Sequence, residues 1–255
     1  MEESASASGR DIPGVEPLAL SRRTIATILL IAAVLWSSAF LLWKQVELDK
    51  QLLISLNGLR TNELVVSVAQ LASKYGMAII VLVYLLYLLF AFKHEKLRDA
   101  GRIALLVLLM FGFAALGGDV LKRILNRPRP FVTYAGEIIA FSDAGTPAFP
   151  SGHATKSTAL ALPFLFLIAA KDNLHKGVKI LMAIVAFGVC CSRVLLGAHY
   201  VSDVLAGVGM ALTLLPLVTL LSNRILGKLT KERLDLAIRV WAVALLLLMI
   251  YLAMQ

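Results

Sequence analysis

The stretch AFPSGHATKSTALALPFLFLIAA, Ala148 to Ala170, opens with Pro, Ser, Gly, His and Lys and continues as an apolar run of nearly membrane-spanning length. Such a run reads as a helix in lipid. Ionisable residues at its mouth are costly at that depth unless they share a polar cavity with others. Two further polar islands adjoin apolar runs in the same way: KRILNRPRP, Lys122 to Pro130, and CSRVLLGAHYVSD, Cys191 to Asp203.

The rest of the chain fits that reading. It has 255 residues, 59% of them hydrophobic and only 16% charged, with a mean hydropathy of +0.83. This composition belongs to integral membrane proteins. Apolar runs at 24–43, 76–92, 103–121, 153–170, 180–197, 202–221 and 237–254 predict seven spans. The expected fold is all-α, a polytopic transmembrane helix bundle. Residues 48–73 interleave Leu, Ile and Val with Asp49, Lys50, Asn57, Arg60, Asn62 and Glu63, which predicts amphipathic helices at the membrane surface or a cap packed over the bundle. Residues 1–21 are too polar to bury a core and are expected to form a flexible tail. Arg22-Arg23 before an apolar run could mark a leader, but the run is long enough to span and no small-residue cleavage site follows, so it is kept as a first span. The expected division is tail 1–21, membrane core 22–222, and a connector with an extra C-terminal span at 223–255.

Net charge is +9. No basic-aromatic nucleic-acid module accompanies it, and membrane topology accounts for the excess. Lys and Arg concentrate in 93–102, 171–179 and 222–239, together with Arg22 and Arg23, which places those loops in the cytoplasm. All three polar islands then fall on the opposite, outer face. Cys190 and Cys191 are adjacent in an apolar run, where they read as small core residues rather than a disulfide or zinc site. No cluster of carboxylates, His or Cys accompanies the islands, so neither a metal nor another cofactor is expected.

Together the islands suit a multiply charged anion. Lys122 offers a point charge, and Arg129 and Arg193 offer planar forks matched to phosphate oxygens. Of the four histidines, His94 and His175 fall in cytoplasmic loops, whereas His153 and His199 occupy the islands. Asp203 follows His199 by four residues and can bond one ring nitrogen, leaving the other as nucleophile or base. Pro150 precedes a helix start at which Ser151 is the expected N-cap, and Gly152 allows backbone to approach a ligand. N–H groups at that start attract an anion. Lys156, one turn beyond His153, is expected to snorkel to the interface, with contact to His153 or to a second phosphate as the alternative.

The pattern K-x6-RP (Lys122, Arg129-Pro130), PSGH (Pro150 to His153) and SR-x5-H-x3-D (Ser192-Arg193, His199, Asp203) resembles the type 2 phosphatidic acid phosphatase (PAP2) superfamily. The resemblance implies a metal-independent phosphatase acting through a phosphohistidine. His199 would attack phosphorus, Asp203 would orient it, and His153 would protonate the leaving group and then assist water. Lys122, Arg129, Ser151, Gly152 and Arg193 would hold the phosphoryl oxygens. The family core usually has six spans, so 237–254 is a departure. Soluble relatives include vanadium haloperoxidases, which makes vanadate an expected inhibitor, while the spans argue for a lipid substrate in the bilayer.

The leading expectation is a lipid phosphatase of a bacterial inner (plasma) membrane with its site facing the periplasm or exterior. Expected substrates are an undecaprenyl-type pyrophosphate, phosphatidylglycerophosphate, phosphatidic acid or the lipid A phosphates. A phosphotransferase passing phosphate to an acceptor hydroxyl is the alternative, and a lipid-binding or transport protein without catalysis is a third reading. The motifs do not read the lipid tail or the oligomeric state.

Overall fold

A computed structural model describes residues 17–93, 97–141 and 145–254. Within them the chain runs through α1 (Arg22–Lys44), α2 (Val46–Asn57), a 3-10 turn (Gly58–Thr61), α3 (Glu63–Lys93), α4 (Leu97–Leu125), α5 (Pro130–Thr133), α6 (Gly152–Leu167), α7 (Asn173–Leu195), α8 (Val201–Leu226) and α9 (Lys231–Ala253). The fold is all-α, as expected. Among the described residues six helices, α1, α3, α4, α7, α8 and α9, are long and apolar enough to cross a membrane. Their outward faces carry large apolar side chains, such as Leu30, Phe92, Leu116 and Phe187, each about two-thirds exposed or more. That is the surface a lipid solvent selects.

The remaining expected span, 153–170, is a shorter helix than expected, running from the polar islands toward the basic loop 171–179. Its helix, α6, has 16 residues and ends at Leu167, a length of about 24 Å. It sits inside the bundle, packed by α3, α4, α7 and α8, and ten of its residues are buried. A helix screened from lipid has no need to match bilayer thickness. Pro163 interrupts its ladder, and the buried Tyr84 hydroxyl repairs the gap. It donates to the Leu160 carbonyl at 2.8 Å and accepts from the Phe164 N–H at 2.9 Å, standing between two groups that would otherwise pair with each other.

The segment 48–73 resolves into two parts. α2 turns Asp49, Leu53 and Asn57 inward, spaced four apart on one face, while Leu48, Leu52, Ile54 and Leu56 are exposed. A polar face inward and an apolar face outward inverts the surface helix of a water-soluble protein. It suits a helix lying between lipid and a polar site, so features of both expected alternatives are present. Residues 63–73, by contrast, are not interfacial. They form the first turns of α3, which continues unbroken for 31 residues. The Asn62 side chain accepts from the N–H groups of Leu64 and Val65, and no Pro interrupts the run that follows.

The extra C-terminal helix is present. α9 packs against α3 and α4 through Leu234, Ile238, Leu245 and Leu252, all nearly inaccessible. At the same end of the bundle as the α8–α9 connection, residues 17–21 depart from the expected free tail. Leu18 N–H donates to the Asn223 side chain at 3.0 Å, and Asn223 returns a 2.7 Å bond to the Leu18 carbonyl. Residues 1–16 lie outside the described residues, as does His94. Pro17, Leu18 and Ala19 line one cavity with Arg102, Ala169, Lys171 and His175, so the basic loops gather at one end. The three polar islands occupy the other.

Candidate active site

At that other end, a cavity of about 200 Å³ is lined by Ala114, Ala115, Gly118, Asp119 and Lys122 of α4, by Arg129 and Thr146, by Gly152, His153 and Lys156 of α6, by Arg193 of α7 and by His199. Short inter-island bonds hold the walls together. Ala148 N–H donates to the Arg127 carbonyl at 2.8 Å, and Ser151 N–H to the Asp203 carbonyl at 2.9 Å. Asn57 donates to the Leu195 carbonyl at 2.9 Å and the Ile139 carbonyl at 3.3 Å. These bonds tie α2 and the α5–α6 connection to the α7–α8 turn.

The turn carrying His199 is tight for a stated reason. Gly197 has φ of +67°, and a side chain there would come within 2.6 Å of the Ile139 carbonyl oxygen, so only glycine fits. Both Ala198 and His199 N–H groups donate to the Arg193 carbonyl. His199 is 1% exposed. Its Nδ1 lies 3.3 Å from Asp203 Oδ2 and its Nε2 3.3 Å from an Arg129 terminal nitrogen. A ring that donates from Nδ1 to the carboxylate and faces a guanidinium with Nε2 is neutral, with its Nε2 lone pair turned to Arg129 at the cavity. The imidazole lies in the turn between α7 and α8, and burial, followed by the charges of Arg129, Arg193 and Lys122, drives its pKa well below the ordinary histidine value.

The three expected phosphate-binding cations all reach the cavity, and each is also anchored. Arg129 donates to the Thr146 carbonyl at 2.7 Å, the Ala198 carbonyl at 2.9 Å and the Thr146 hydroxyl at 3.1 Å. Lys122 donates to the Pro147 carbonyl at 3.0 Å. Arg193 bonds the Ser73 hydroxyl on α3. Fixed cations aimed into one small cavity act as a preorganised receptor for an anion. His153 and Gly152 form the start of α6 at its wall, where free backbone N–H groups add to the field. A Cβ on Gly152 would stand 3.8 Å from the Lys122 side chain, so glycine here keeps cavity space open rather than relieving a clash.

Two expected residues occupy different places. Ser151 is fully buried behind the wall, where its hydroxyl caps α6 by accepting from Ala154 N–H at 3.5 Å. Lys156 turns into the cavity instead of snorkelling, because its helix is enclosed and has no lipid interface to offer. Its ammonium lies 5.9 Å from the Phe111 ring.

A buried network behind Asp203 escaped the sequence reading. Arg127 donates to Asp203 Oδ1 at 2.7 Å, to Ser202 at 2.6 Å and to Asp49 Oδ2 at 2.9 Å, with its guanidinium 3.8 Å from the Tyr200 ring. Asp49 also accepts from the Ser202 hydroxyl and backbone N–H. Asp203 Oδ2 takes the Tyr200 N–H at 2.9 Å. The histidine's partner is thus held on both oxygens. Arg127 stood in the first island, in RPRP, without any sign of which Arg served the cavity. Asp49, 78 positions before Arg127, had no local signal beyond being a charge in an apolar segment.

Residues 101–226 match the PAP2 superfamily model. The chain is 38% identical over 119 residues to phosphatidylglycerophosphatase B of Bacillus subtilis (strain 168), a match spanning 45% of this chain and 55% of that protein. The fold is similar to the crystal structure of a transmembrane PAP2-type phosphatidylglycerolphosphate phosphatase from Bacillus subtilis, with a TM-score of 0.55 and 23% identity, over 79% of this chain and 96% of that one. The family-matched stretch contains all three polar islands, from Lys122 to Asp203, and over that stretch, just under half of its length, the chain is similar to the PAP2 superfamily.

Proposed function

We propose that this protein is a membrane lipid phosphatase that removes a terminal phosphate through a phosphohistidine on His199. The observation that carries the reading is the pairing at that ring: Nδ1 on Asp203, and Nε2 facing a cavity of fixed cations.

In this mechanism the substrate phosphate displaces water among Lys122, Arg129, Arg193 and the α6 N–H groups. His199 Nε2 attacks phosphorus in line as the bond to the lipid oxygen breaks. His153 gives its proton to that oxygen, releasing the dephosphorylated lipid. Asp203 stabilises the positive charge on the ring, and the cations stabilise the charge spread over the equatorial oxygens. Water, losing a proton to His153, then attacks phosphorus. The P–N bond breaks, and phosphate leaves with His199 neutral again.

Phosphatidylglycerophosphate is the proposed substrate, ahead of isoprenoid pyrophosphate, phosphatidic acid and lipid A phosphates, because the curated relative is a phosphatidylglycerophosphatase. The gathering of the basic loops opposite the cavity supports, by the positive-inside bias, a site at the outer leaflet of a bacterial plasma membrane.

The test is phosphate release by purified protein from each of these lipids, beside His199→Ala, with added glycerol as a competing acceptor. Release from phosphatidylglycerophosphate that vanishes in the variant supports the reading. Release surviving in His199→Ala removes the nucleophile, and transfer to glycerol in preference to water makes the protein a phosphotransferase.

A further inference from the structure

The cavity holds one more cation than a single phosphate needs, and that cation differs from the rest. Lys122, Arg129 and Arg193 are all bonded to protein acceptors. Lys156 lines the same cavity and, among the described residues, has no hydrogen bond or ion pair; its ammonium lies 5.9 Å from the centre of the Phe111 ring, and Asp119 and Arg193 line the same cavity. It stands three residues past His153 along α6, about 4.5 Å toward the middle of the bundle. Beside it the α4 wall is small, Ala114, Ala115 and Gly118, and leaves room for a bulky group. Asp119 completes that wall and forms no ion pair with a described residue.

Resting on the phosphatase reading above, we infer that Lys156 forms a second anion subsite, which binds an internal phosphodiester of the substrate while the terminal phosphate sits at His199. The substrate class is a lipid with two phosphates separated by a short hydroxylated bridge. Orientation supports this assignment. The terminal phosphate is the outermost group of such a lipid, the diester lies between it and the acyl chains, and Lys156 lies between His153 and the membrane interior. Asp119 lines the same cavity, and its carboxylate can accept a hydrogen bond from the bridge hydroxyl. A phosphatidic acid has no diester for Lys156, and a pyrophosphate places its second charge against the first, beside Lys122 and Arg129.

The experiment measures kcat and KM of the full chain in lipid nanodiscs for phosphatidylglycerophosphate and for phosphatidic acid, in the wild type, Lys156→Met and Lys156→Arg. The expected result is a fall of about tenfold in the kcat/KM ratio between the two lipids in Lys156→Met, carried by KM, with Lys156→Arg restoring most of the preference. An equal fall for both lipids, or a loss in kcat with a shifted pH profile, overturns the subsite by assigning Lys156 to the reacting phosphate or to His153. An unchanged ratio overturns it as well. A second measurement stands apart from turnover: equilibrium binding of orthophosphate and of glycerol 1,3-bisphosphate to the same proteins. Lys156→Met weakens the bisphosphate about tenfold more than orthophosphate if the subsite exists, and equally if it does not. Wild-type protein that hydrolyses neither lipid overturns the phosphatase reading, and the binding result still decides the subsite.

Discussion

Two side chains dominate at the residue scale, His199 and Arg127. His199→Ala is expected to lower phosphate release by about 10⁴-fold or more, because a residue acting as nucleophile within a coupled unit cannot be replaced by its neighbours. His153→Asn should cost about 10²–10⁴-fold with a lipid alkoxide as leaving group. With an aryl phosphate, whose leaving group needs no proton, the deficit should shrink; a constant deficit would show that His153 is not the acid. The depressed pKa of His199 has a definite sign. The folded state binds fewer protons than the unfolded chain, so this residue's contribution to stability is present above about pH 6.5 and is lost as pH falls below it. An imidazole NMR titration of His199 that begins only below that value is the check. Arg127→Ala strands Asp49 and Asp203 without their shared cation in a buried site. Breaking such a pair costs about 3–5 kcal/mol, and the thermal midpoint of the purified protein should fall accordingly. If Arg127→Ala melts like wild type, the network is not a structural clamp.

The site at the scale of elements depends on how closely α6 and α8 approach. A Cβ at Gly207 of α8 would lie 2.9 Å from both the Ser151 carbonyl oxygen and the Thr155 hydroxyl, and 3.1 Å from the Ala154 methyl. The α6 backbone must therefore move to admit any side chain. Gly207→Val is expected to displace the PSGH start from His199, lowering kcat at least tenfold. Activity at the wild-type level in Gly207→Val would show that the contact is not needed. Tyr84 is a comparable device on the other face of α6, where its hydroxyl bridges the ladder beside Pro163. Small residues and one inserted hydroxyl thus let an enclosed short helix carry two polar residues, His153 and Lys156, to one cavity.

For the whole molecule, the basic loops and the cavity lie at opposite ends, and two measurements test what that means. In a Cys190→Ser, Cys191→Ser background, Glu137→Cys near the cavity end should react with an impermeant thiol reagent in intact cells, and Lys171→Cys only after permeabilisation. The reverse pattern would place the site in the cytoplasm. Phosphate release should persist in excess chelator, since Lys122, Arg129 and Arg193 supply the charge; loss of activity restored by a divalent ion would overturn the metal-independent mechanism. The sequence by itself determined the helical membrane fold, the three islands and their common end, because apolar length and charge bias act locally along the chain. Only the tertiary structure decided that α6 is enclosed and short, that Lys156 points inward, and that Arg127 and Asp49 support Asp203. Those facts depend on which faces meet and which buried charges must pair, and contacts between residues as far apart as Asp49 and Arg127 leave no periodic mark in sequence.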